Sequence, residues 1–176
     1  HQNYPDVRIK ITNSTSIGCV DLLEKGQVDL IVCNFPNSRL GNHMNVHPLK
    51  EFRDVFAADP ESFPVRDRIF QLKELLNFPI LMLSSKTTTS EYLHRTFTSR
   101  GLKLLPEVEL NSNDLLMDLA GIGLGVACIP DYMLESHRTL VPIRLDTPLP
   151  PRQLVLVQHD NLPVSQAGER FVEMFS

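Results

Sequence analysis

A chain of 176 residues is long enough for one well-buried domain, or for two small lobes that share a connection. Its 42% hydrophobic and 22% charged content fits a globular protein, and no apolar run approaches the roughly 18 residues that a membrane span needs. The net charge of −4 comes with scattered lysines and arginines, and the nearest approach to a basic run, Arg66-Asp67-Arg68, neutralises itself. This excludes a nucleic-acid-binding surface, which requires clustered cations.

In chain order, Val7-Arg8-Ile9-Lys10-Ile11 alternates apolar and polar residues and predicts a half-covered strand. Asn13-Ser14-Thr15-Ser16 supplies helix N-caps, Ile17, Val20, Leu22 and Leu23 follow at helical spacing, and Gly26 is placed to stop the helix. Val28 to Val32 reads as a buried strand, completing a β-α-β unit with an implied parallel pair. Residues 35–48 are punctuated by Pro36, Gly41 and Pro48 and predict a loop. Strands are expected over Phe52 to Ala58, Pro79 to Leu83, Val108 to Leu110, Val126 to Ile129, Leu140 to Leu145 and Leu154 to Val157. Helices are expected at Leu72 to Leu76, after the joint Ser84 to Ser90, after Asn111 to Asp114, and from Ser165 to Phe175. Repeated β-α units make the chain α/β.

Several motifs decline a chemical role. Gly121-Ile122-Gly123-Leu124-Gly125 follows a helix and opens a strand, the reverse of a phosphate-binding loop, so these glycines end a helix and turn the chain. His43 and His47 are four apart but lie in a segment too rich in Gly, Asn and Pro for a helical metal pair. No nucleophile elbow is present and no carboxylate pair suggests acid–base work, so no catalytic residue, metal or cofactor is assigned. Cys19, Cys33 and Cys128 are odd in number, far apart and set among apolar neighbours, which fits buried thiols in a reducing cytoplasm. The start, His1-Gln2-Asn3-Tyr4-Pro5, lacks the pattern of a signal peptide.

The informative features are the hydroxyl-rich joints at Asn13 to Ser16 and Ser84 to Ser90. Each falls where a strand's carboxyl end meets a helix N-terminus, the edge at which open α/β sheets bind ligands. Capping a helix takes one side chain, and these joints offer four and six Ser, Thr or Asn. Free helix N–H groups there favour a polar or anionic ligand.

Tyr4 to Ile9, Leu22 to Val32, Phe78-Pro79-Ile80-Leu81, Gly101-Leu102, Leu119 to Pro130 and Glu169 to Phe175 together resemble the effector-binding domain of LysR-type transcriptional regulators. The resemblance runs over essentially the whole chain. It implies a two-lobed fold of the type 2 periplasmic-binding-protein kind, each lobe a mixed, mostly parallel sheet flanked by helices. Lobe I would comprise residues 1–57 plus 138–176 and lobe II residues 58–137, with the effector between them. The resemblance also implies that effector contacts come from Thr15, Ser16 and Asn34 in lobe I and from Ser85, Thr87 and Thr89 in lobe II. Some members carry Arg where this chain has Asn34, which removes a charge-assisted partner for a carboxylate. The family's domain opens with a further strand and helix, and this sequence is expected to begin at the tail of that helix, without the winged helix-turn-helix. The implied protein is a cytoplasmic homodimer or tetramer that touches DNA only through that separate domain. Its partner is a small polar or anionic metabolite, and it has no membrane contact and no enzymatic role. Two alternatives share the sequence features: a transporter's solute-binding protein, and a thiol-based redox sensor using Cys33.

Overall fold

The computed structural model describes residues 2–137 and 139–175, and in it each α-helix begins where the sequence supplies a hydroxyl. Thr15 caps α1 (Ser16–Glu24) by accepting from the Gly18 N–H, and Thr87 caps α2 (Thr88–Thr98) through Ser90. Ser112 and Ser165 do the same for α3 (Asn113–Gly121) and α4 (Gln166–Glu173). Each cap satisfies an N–H that has no partner within its helix and is worth about 1 kcal/mol. Gly26, at φ +63°, closes α1: its N–H donates to the Leu23 carbonyl and that of Gln27 to the Leu22 carbonyl, both at 2.9 Å. Only a residue at ease in the left-handed region closes a helix this way.

The chain divides into two compact units, His1–Lys50 with Gln153–Ser176, and Glu51–Arg152. The sheet of the first unit has the order β1 (Ile31–Phe35), β10 (Arg152–His159), β2 (Met44–Phe52). β1 runs antiparallel to β10, with Ile31 opposite Val157 and Phe35 opposite Gln153. Val20 and Leu23 of α1 pack with Ile31, Cys33, Met44, Val155 and Val157 to form this unit's core.

Two expectations fail here. Residues 7–11 form no strand, and Ile9 and Ile11 are 64% and 87% exposed. Alternation gives a strand only where a neighbour completes the ladder, and no described strand pairs with this segment. The parallel β-α-β unit is therefore absent; the strand read at Val28 to Val32 starts at Ile31 instead and pairs antiparallel. In addition, the stretch read as a loop up to Pro48 contains the first half of β2.

The second unit holds a five-stranded sheet in the order β6 (Val108–Leu110), β5 (Ile80–Leu83), β7 (Val126–Pro130), β3 (Asp54–Ala58), β8 (Val141–Pro142). β5 is parallel to β6 and β7, whereas β3 is antiparallel to β7 and β8. β4 (Ile69–Phe70) and β9 (Arg144–Leu145) form a separate parallel pair. The period-two rule sorts the large sheet's side chains onto two buried faces. Phe56, Ile80, Met82, Val126 and Cys128 meet Leu93 and Phe97 of α2. Ala57, Leu81, Ala127 and Ile129 meet Leu116, Met117 and Ala120 of α3. All five residues of β7 are buried, as a continuous apolar run requires. Residues 51–57 and 139–152, grouped by the sequence with the first lobe, lie in the second unit because β3 and β8 belong to its ladder. The glycine run performs the turn assigned to it: Gly123 has φ +81°, and a Cβ on Gly125 would lie 2.4 Å from the Pro79 carbonyl oxygen.

Candidate ligand-binding edges and a buried arginine

Because β5 and β6 are parallel, their carboxyl ends share one edge of the second unit, where α2 and α3 begin. The joint between β5 and α2 is bonded to the one between β6 and α3. The Ser84 N–H donates to the Leu110 carbonyl, and the Ser84 hydroxyl donates to Asn111 Oδ1. Thr87 is engaged in its capping role, since its Oγ1 accepts from the Ser90 N–H at 3.2 Å and donates its one proton to the Ser84 carbonyl at 2.9 Å. Ser85 and Lys86 are exposed, whereas Thr87, Thr88, Thr89 and Ser90 are buried. Of the three residues predicted here, Ser85 thus offers its side chain outward, Thr87 builds the turn, and Thr89 faces the interior.

In the first unit, Thr15 serves as the α1 cap at 3.1 Å. Ser16 and Asn34, distant in sequence, are brought together: the Asn34 N–H donates to Ser16 Oγ at 3.1 Å. The Asn37 side-chain amide donates to the Ser16 carbonyl at 3.3 Å, fixing the start of α1 to the chain that leaves β1. The end of one strand and the start of one helix are held as a single polar corner.

Sequence reasoning missed a buried ion pair in the second unit. Arg152 and Asp54 have fully buried side chains, and Arg152 Nη1 donates to Asp54 Oδ2 at 2.7 Å. The same Nη1 donates to Thr89 Oγ1 at 3.0 Å, and Nη2 donates to Thr88 Oγ1 at 3.2 Å. The guanidinium carbon lies 4.9 Å from the Tyr92 ring centroid and 5.4 Å from that of Phe52, within cation–π range of both. Burial pushes the Asp54 carboxyl above the ordinary carboxylate range, and Arg152 pulls it partly back. Burial also pushes the Tyr92 phenol up to about 12, so it stays protonated and donates to the Pro150 carbonyl at 2.8 Å.

The remaining reactive side chains offer little chemistry. Cys33 is 2% exposed and its thiol is pushed up to about 11, mainly by burial. A thiolate is the reactive form of cysteine, so Cys33 is poorly suited to redox sensing. An open depression lined by His94, Thr98 and residues 101–105 sits at the opposite end of α2 from the hydroxyls. Among the described residues, no three His, Cys, Asp or Glu side chains gather to hold a metal, and no helix is long and apolar enough to cross a membrane.

The family model for the LysR substrate binding domain matches residues 1–176. The chain belongs to that family. A LysR-type relative, the HTH-type transcriptional activator CmpR of Synechocystis sp., is 26% identical over 133 residues, covering 76% of this chain and 43% of that protein. The chain therefore spans less than half the length of this relative. Among solved structures, the regulatory domain of CcmR from Synechocystis PCC6803, in complex with 2-PG, superposes with a TM-score of 0.88 at 16% identity. That match covers 99% of this chain and 84% of the CcmR chain. The effector binding domain of QuiR in complex with shikimate gives a TM-score of 0.85 at 13% identity, over 98% of this chain and 81% of the other. The fold is thus that of the LysR effector-binding domains, α/β with mixed sheets and flanking helices, of the type 2 periplasmic-binding-protein kind.

Proposed function

We propose that this domain senses a small polar or anionic metabolite and relays its presence to a DNA-binding domain elsewhere in the same LysR-type regulator. The observation that carries this reading is the polar edge of the second unit, where two parallel strands end and two helices begin among hydroxyls. Helix N–H groups and hydroxyls suit a ligand rich in acceptors. Ser85 is the direct contact in this unit, with Thr87 and Thr89 holding the turn behind it. Thr15, Ser16 and Asn34 form the corresponding corner of the first unit. We take the two units as the family's two lobes. The named relatives support the ligand class, since 2-PG and shikimate are both small molecules bound by regulatory domains of this fold. Sensing occurs by population shift: an effector acts only in so far as it prefers one conformation. The working protein is a cytoplasmic homodimer or tetramer, and it carries out no reaction. A transporter's solute-binding protein is disfavoured by the match to an HTH-type transcriptional activator.

A thermal-shift titration with 2-PG, shikimate and sulfate tests this reading. A ligand at about 100 times its dissociation constant adds roughly 2.7 kcal/mol to stability. The expected result is a raised midpoint with at least one of these compounds and a smaller rise in Ser85→Ala. A midpoint unmoved by all three, or a full response in Ser85→Ala, overturns it.

A further inference from the structure

The carboxyl end of α2 opens a stretch whose charge differs from that of the rest of the chain. Residues 92–106 hold Arg95, Arg100 and Lys103 and no Asp or Glu, whereas the sequence as a whole has 21 acidic and 17 basic residues. All three cations are exposed, and none forms an ion pair among the described residues. Cations at a helix carboxyl end ordinarily serve its dipole and its free carbonyls. Here the chain itself meets those carbonyls. That of Arg95 accepts from the Ser99 N–H, that of Thr96 from the Ser99 hydroxyl, and that of Thr98 from the Gly101 N–H. The Phe97 carbonyl accepts from the N–H groups of Arg100 and Leu102, and all five bonds are 2.8–3.0 Å long. The same stretch bounds the open depression of about 570 Å³ lined by His94, Thr98 and residues 101–105. Leu104 is buried, Leu102 is half-buried and Leu105 is 67% exposed. A Cβ on Gly101 would meet nothing within 4 Å, so no side chain fills that part of the hollow.

We infer that this depression is a second ligand site, for small organic acids that join an apolar body to one carboxylate or sulfonate. Its volume falls within the roughly 300–1,000 Å³ of small-molecule pockets. An apolar body laid over Leu102 and Leu105 takes exposed hydrocarbon out of water. The acid group then pairs with the Lys103 ammonium, which no carboxylate of the described chain occupies, and the Thr98 hydroxyl offers a further donor. Each half of the ligand is needed. An inorganic anion leaves the leucines uncovered, and an organic cation meets Lys103 with like charge. The site is separate from the hydroxyl joint, because the two lie at opposite ends of an 11-residue helix, roughly 16 Å apart at about 1.5 Å per residue. The inference therefore stands whether or not that joint binds an effector.

Phenylbutyrate is the probe, titrated into the isotope-labelled 176-residue chain while backbone amide shifts are followed by NMR. The amides of residues 94–105 are expected to move and saturate, and those of residues 84–90 to stay in place. Phenylbutylamine has the same body with the opposite charge, and acetate has the charge without the body. Both are expected to bind at least about tenfold more weakly. Lys103→Glu and Leu105→Ser alter exposed side chains and leave the fold intact, which the unchanged shifts of the buried strand β7 verify. Lys103→Glu is expected to weaken phenylbutyrate about tenfold and Leu105→Ser about fivefold. No saturating movement at residues 94–105, equal binding of the amine or of acetate, or native affinity in both variants overturns the inference. The acidic peptide Ac-Glu-Asp-Phe-Glu-Asp-amide is titrated in parallel. Binding at the same amides about tenfold tighter than phenylbutyrate would assign the depression to a protein segment and overturn the small-molecule reading.

Discussion

Replacing Asp54 with alanine should cost far more stability than its place at a strand end suggests. The carboxylate and the Arg152 guanidinium are fully buried and 2.7 Å apart. Removing the carboxylate leaves Arg152 two neutral threonine acceptors and two aromatic faces but no counter-charge, and such an uncompensated buried cation costs about 3–5 kcal/mol. For a chain of this size each kcal/mol moves the thermal midpoint by roughly 2–4 °C, so a fall of roughly 6–20 °C is expected. Removing both charges in Asp54→Leu/Arg152→Met should be much milder, within about 2 kcal/mol of native, because no orphan charge remains. Urea unfolding followed by circular dichroism at pH 7 measures both. A loss below about 1 kcal/mol in Asp54→Ala would refute the reasoning, since that is the value of a solvent-screened pair.

Other consequences are checked as directly. Because the fold prefers the protonated Cys33 thiol, with its pKa moved from 9.0 to about 11, this group costs no stability below pH 9 and lowers it as pH rises through that window. At pH 8 a thiol-directed reagent should therefore leave Cys33 unmodified in the native protein and label it after unfolding; fast native labelling contradicts this. Ser16→Ala removes the acceptor of the Asn34 N–H and should cost about 1 kcal/mol in urea unfolding, whereas exposed Ser85→Ala should cost nearly nothing. Gly125→Ala pushes a methyl group against the Pro79 carbonyl and should destabilise by about 1–3 kcal/mol, measurable by the same unfolding experiment.

The legible parts of the sequence were those governed by near neighbours. Thr15, Thr87, Ser112 and Ser165 each cap a helix through a bond three residues along, so a short window contains the whole cause. The same holds for Gly26 and for the glycine run before β7. The reading failed where a partner far along the chain decides the outcome. Residues 7–11 alternate correctly but pair with no strand among the described residues. Met44–Phe52 carries Asn45 and Pro48, yet it forms a strand because β10 lies beside it. Of the candidate site, the hydroxyl joints were visible as an excess of capping residues, whereas the bond between Ser16 and Asn34, 18 residues apart, was not. Arg152 was invisible: arginine is seldom fully buried, and its carboxylate partner is 98 residues away.

The second unit is an insertion within the first, and this fixes the order in which structure can appear during synthesis. β1 and β2 do not touch each other in the sheet; each is bonded to β10, which lies between them. While residues 51–152 emerge from the ribosome and complete their own sheet, β1 and β2 still lack β10, the described strand that joins them. The ladders of β1 and β2 with β10 can close only once residues 153–159 are made.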